Sequence, residues 1–188
     1  MPQGRQRGGS TMFIALAGLG LLAGCAGSNH DATTTSTTVV APSTTSASSF
    51  ASTEARRSEV LSAYRAGWLA FEQASATSNA FDPQLADSMA DPLLQQVRAN
   101  LAGDKENGVV ARGSFTLHPT VVALTATTAQ VSDCAYSTSE LVYAKTGQPV
   151  PPVTPPENDG VKATLVLLGS VWKVAQQTVT DGLCGPVS

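Results

Sequence analysis

"TVVALTATTAQVSDCAYST", residues 120–138, alternates β-branched or apolar side chains with small polar ones, a period of two that belongs to strands rather than helices. The alternation breaks at Thr125 to Thr128, where a turn is expected, so the stretch reads as two strands joined locally. Successive strand residues point to opposite faces, which separates Asp133 from its neighbour Cys134. Which of the two faces inward is left open by the pattern.

The same period extends outward. "VVARGSFTLHP" precedes the stretch as a further strand region, and "SELVYAK" follows it as a weaker one. Pro149 to Glu157 is proline-rich and cannot pair as a central strand, so a loop is expected there. Val161–Leu168 and Val171–Val179 then form a hairpin around Gly169-Ser170.

Before Gly108 the period is that of a helix. Val60, Leu61, Tyr64, Trp68, Phe71 and Ser75 recur at steps of three and four, which predicts one amphipathic helix over about 53–76 with Ser52 as its N-cap and Glu54 in its first turn. Asp82-Pro83 and Asp91-Pro92 each place an acceptor before a proline, predicting helices over about 83–89 and 92–102, the second stopping at Gly103. Helices first and strands afterwards make an α+β domain over 53–188, with the helices covering one face of an antiparallel sheet.

The first 52 residues are of another kind. Arg5 and Arg7 precede an apolar run from Met12 to Leu22, the arrangement of an export signal and too short for a permanent span, which needs about 20 apolar residues. Leu22-Ala23-Gly24-Cys25 closes that run and resembles the lipobox of bacterial lipoproteins. The resemblance implies cleavage after residue 24, a diacylglycerol on the Cys25 thiol, and a protein held on the extracytoplasmic face of the cell membrane. Two or more acyl chains anchor stably, at about 0.8 kcal/mol per buried methylene. Residues 25–52 are rich in Ser and Thr with almost no large apolar side chains, so a disordered tether with a reach of about 30 Å is expected.

Composition narrows the function. Of 188 residues only 13% are charged, the formal charge is −3, and loss of Arg5 and Arg7 with the leader makes it −5. A weakly acidic chain without a Lys/Arg cluster is unsuited to nucleic acid, where neutralisation of phosphates supplies most of the affinity. With Cys25 lipidated, Cys134 and Cys184 remain as an even pair, and an oxidising compartment predicts a disulfide between them. Two cysteines without a nearby His supply too few donors for a metal, and neither a metal nor a cofactor is expected.

The element order, with the Tyr/Trp/Phe stripe, "GVVARG", "VSDCAY" and "LLGSVWKV", resembles the actinobacterial lipoproteins of the nuclear-transport-factor-2-like superfamily, with a cystatin-like α+β domain, over about residues 55–184. The resemblance implies a curved sheet wrapped round helices into a cone. Its members include isomerases, dehydratases and non-catalytic binding modules, and the fold does not choose among them. An enzyme of this kind would set a general base inside the cone. Asp133 and His118 are the candidates here, with Tyr136 as oxyanion partner, and Tyr64 and Trp68 are the candidate pocket residues. Against this stands a solvent or structural role for His118 and Asp133 and a core role for the aromatics. The resulting expectation is a lipid-anchored, non-enzymatic module that binds an envelope protein or an apolar small molecule, with the Asp/His enzyme as the alternative.

Overall fold

The computed structural model describes residues 45–153, 155–182 and 184, with side chains from residue 52 onward; these lie in a unit spanning Pro42–Ser188. The leader, Cys25 and most of the tether lie outside the described residues.

Among the described residues three helices come first: α1 (Thr45–Ser75), α2 (Pro83–Ser88) and α3 (Leu93–Glu106). The α1 helix begins eight residues before the expected Thr53, so Ser52 lies within it and is not its cap. Once a helix is nucleated each added residue is cheap, and the Ala- and Ser-containing stretch before Thr53 carries no proline to stop it. The expected stripe is inward, with Val60 and Tyr64 fully buried and Trp68 nearly so.

Asp82 caps α2 as expected, its carboxylate accepting from the Gln84 N–H at 3.0 Å. Asp91 does not cap α3; the helix starts one residue later, and Asp91 instead accepts from the Gln95 side-chain amide at 2.9 Å. Nor does α3 stop at Gly103. It continues to Glu106, because Asn107 turns back with both its backbone N–H and its side-chain amide onto the Gly103 carbonyl.

Seven strands follow: β1 (Val109–Arg112), β2 (Phe115–Thr116), β3 (Thr120–Leu124), β4 (Thr128–Ser137), β5 (Glu140–Tyr143), β6 (Glu157–Leu168) and β7 (Val171–Thr180). They make two sheets rather than one. β1 pairs antiparallel with β5 as a separate ribbon, while β2 and β3 both flank β4, which pairs with β6 and β6 with β7, all antiparallel. Gly113 makes the break between β1 and β2: its φ is +111°, and a Cβ there would strike the Thr138 carbonyl. β6 begins at Glu157, four residues before the expected Val161, because β4 runs on to Ser137 and offers Glu157 to Gly160 ladder partners. Bulges between Val121 and Ala123 and between Thr164 and Leu165 add local bend and twist to the sheet.

The core lies between α1, α2, α3 and the inner face of this open sheet. Its fully buried members include Tyr64, Leu85, Leu101, Val131, Val161 and Leu165. α1 approaches β7 closely because position 67 is glycine; a Cβ there would stand 2.9 Å from Cγ2 of Val174. The N-terminal part of α1 is fastened to the β3–β4 hairpin by Arg56, whose guanidinium donates to the Thr125 and Ala126 carbonyls at 2.7 and 2.8 Å.

Candidate functional site

Strand alternation separates Asp133 from Cys134 as expected, and the structure assigns the faces. Ala129, Val131, Asp133 and Ala135 face the core, whereas Cys134 and Tyr136 are on the other side. Asp133 is 5% exposed, so its carboxylate requires partners in the interior. It has two. Oδ2 accepts from the Tyr64 hydroxyl at 3.0 Å, and Oδ1 accepts from the backbone N–H of His118 at 2.6 Å.

The second bond has a cause in the ladder. β2 ends with Thr116 opposite Tyr136, and β3 begins with Thr120 opposite Ser132. Leu117, His118 and Pro119 therefore lie alongside Asp133–Ala135 without sheet partners, and Pro119 has no N–H to give. The Asp133 side chain takes the place of a ladder carbonyl for His118. One carboxylate thus joins α1, the β2–β3 connection and β4.

This arrangement separates the residues expected to act together. The His118 residue is exposed and meets Asp133 through its main chain rather than its imidazole. Tyr136 is 38% exposed on the outer face, where it cannot share a site with the inward carboxylate. Tyr64 is fully buried in the core; burial, then the adjacent Asp133, pushes its phenol well above the ordinary tyrosine value.

A raised folded pKa for an acid means that the native state holds its proton more tightly than the unfolded chain. Stability supplied this way is present below the unfolded value of about 10 and is lost as pH rises above it. An ultraviolet difference titration should therefore detect Tyr64 ionising only together with unfolding, a step that Tyr64→Phe removes. Early ionisation at constant fold would contradict the buried bond.

Trp68 does reach a cleft. Its ring lies 4.5 Å from that of Phe115 and at steep angles to Tyr64 and Phe71, at 6.4 and 6.3 Å. Trp68, Phe71 and Phe115, with Leu93, Val97 and Val179, border a cleft of about 390 Å³ between α1, α3 and the inner edge of β7. Its polar contributors are Gln96, Asn100, Gln177 and Asp159. A second, more polar groove of about 530 Å³ lies between α1, α2 and the β6–β7 turn, bordered by Glu59, Asp87 and Trp172.

Asp159 went unrecognised in the sequence because it stands in "PPENDG", which reads as loop. Burial raises its carboxyl above the ordinary value, with Asp181 adding to this, while a bond from the Gly182 N–H offsets part of it. The usable signal was the length of β4, which requires a partner strand reaching back through Asp159.

The predicted disulfide is present, linking Cys134 to Cys184 across a separation of 50 residues with the Cα atoms 5.8 Å apart. Gly160 stands opposite Cys134 in register and is followed across the sheet by Thr180.

No protein-family model and no curated protein matches the chain. Solved structures match its fold. The intermembrane space region of the chloroplast protein ARC6 aligns with a TM-score of 0.53 at 16% identity, covering 68% of this chain and 96% of that one. An uncharacterised protein with a cystatin-like fold from Caulobacter vibrioides aligns at 0.41 and 17% identity, over 65% of this chain and 89% of that one. A protein of unknown function with a cystatin-like fold from Nostoc punctiforme aligns at 0.39 and 9%, over 68% and 92%. At 16% identity the ARC6 likeness shows a shared fold alone.

Proposed function

We propose that the chain is a lipid-anchored, non-catalytic binding or accessory module, held through Cys25 at the extracytoplasmic face of the cell membrane. The observation that carries the non-catalytic part is the engagement of Asp133. Both carboxylate oxygens are bound by the fold's own donors, Tyr64 and the His118 backbone. A general base must have an oxygen within reach of a substrate proton, and the other two candidates of that set, His118 and Tyr136, lie exposed. The lipobox-like Leu22-Ala23-Gly24-Cys25 supports the anchoring part. Among the described residues no helix is long and apolar enough to cross a membrane.

Two measurements test the two parts. Wild type should enter the detergent-rich phase on cloud-point separation and carry acyl mass on an N-terminal Cys25, while Cys25→Ser should stay in the aqueous phase. A bare, aqueous wild type would refute the anchor. The pair Asp133→Asn with His118→Gln should leave the cellular phenotype of a deletion strain fully complemented, provided the protein still accumulates. A folded variant that fails to complement would favour the enzyme.

A further inference from the structure

The cleft beside Trp68 combines two features that a packing defect would not have. Its walls are large and apolar, with the aromatic rings of Trp68, Phe71 and Phe115 gathered on one side, and its volume of about 390 Å³ falls in the range of small-molecule sites. Among the described residues that border it, Asp159 is the single charged one. The other polar groups, Gln96, Asn100 and Gln177, are amides that can accept as well as donate.

Asp159 is on the inner face of β6, opposite Ala135. One of its oxygens is held weakly by the Gly182 N–H at 3.4 Å. Glu157 and Asp181 bring further carboxylate oxygens to within 4.8 Å, so the potential at this end of the cleft is negative. An acid or a phosphate would be repelled there, and a neutral hydrocarbon would leave the carboxylate facing it.

We propose that this cleft is a binding site for a small aromatic or aliphatic amine, whose apolar body packs on Trp68, Phe71 and Phe115 and whose ammonium group pairs with the Asp159 carboxylate. The inference rests on the non-catalytic binding reading above and names the ligand class for it. The ammonium would donate to Asp159 and to the amide oxygens around it, and partial exclusion of water makes that pairing stronger than a surface ion pair. The aromatic faces add attraction for a cation beyond the area they bury.

The test uses three ligands of one shape: 1-naphthylmethylamine, 1-naphthylmethanol and 1-naphthoate, titrated calorimetrically at pH 7 into the full chain carrying Cys25→Ser, free of detergent. The amine should bind at least tenfold more tightly than the alcohol, and the carboxylate should bind least. Asp159→Asn should abolish the preference of amine over alcohol, weakening the amine far more than the alcohol, with an unaltered thermal transition confirming the fold. Asp181→Asn, outside the cleft, should keep most of the preference. Equal binding of the three ligands, a preference that survives Asp159→Asn, or one that disappears only with Asp181→Asn would each overturn the proposal. Such a failure is distinct from failure of the anchored, non-catalytic reading, which is measured at Cys25 and at Asp133.

Discussion

Replacing Cys134 and Cys184 together by serine should lower the unfolding free energy by about 4 kcal/mol, the chain-entropy value for a closed loop of some 50 residues. The bridge joins the middle of β4 to the segment beyond β7. In the unfolded chain it constrains β5, the Pro-containing loop and the β6–β7 hairpin within one loop, so its removal acts chiefly by enlarging the unfolded ensemble. For a domain of this size the loss corresponds to a fall in Tm on the order of 15 °C. Scanning calorimetry of the double serine variant, and of wild type with and without reductant, checks it. A shift of a degree or two would mean that the segment after β7 is held by other contacts and that the bridge contributes little.

The second large effect is expected at Asp133. Asp133→Ala strands two donors, the buried Tyr64 hydroxyl and the His118 backbone N–H, each of which costs about 1–3 kcal/mol when left unsatisfied. The loss should therefore be about 2–6 kcal/mol, with a cavity adding to it. Asp133→Asn keeps one carbonyl acceptor and should cost less. Tyr64→Phe, which removes one donor and leaves the carboxylate its His118 bond, should cost about 1 kcal/mol more than an isosteric change without a lost bond. Chemical denaturation of the three variants orders them. A ranking in which Asp133→Ala is the mildest would contradict the tie.

Much of this was legible in the sequence. The steps of three and four from Val60 to Ser75 identified the buried face of α1, and alternation along 120–138 identified β3, β4 and the turn between them. Cysteine arithmetic supplied the disulfide because only one pairing remained once Cys25 was set aside. What failed were boundaries and partners. The α1 start was misplaced because Ser- and Thr-rich composition reads as disorder, whereas continuing an established helix demands little of composition. Asp133 was seen but its role was not, since its partners are a tyrosine 69 positions away and a backbone N–H exposed by a gap in the ladder. Local periodicity reports which face a residue occupies and carries no information on what meets it there. Asp159 was missed for a related reason, as its strand is induced by β4 rather than by its own β propensity.

The claim on which the functional reading turns is that the buried carboxylate of β4 serves the fold. A double-mutant cycle between Tyr64→Phe and Asp133→Asn, measured by urea denaturation, tests it most directly. The account predicts strongly non-additive losses, with a coupling of about 1 kcal/mol or more between the two positions. Additive losses, with each variant near wild-type stability, would mean that Asp133 is not held by Tyr64 and is free for chemistry.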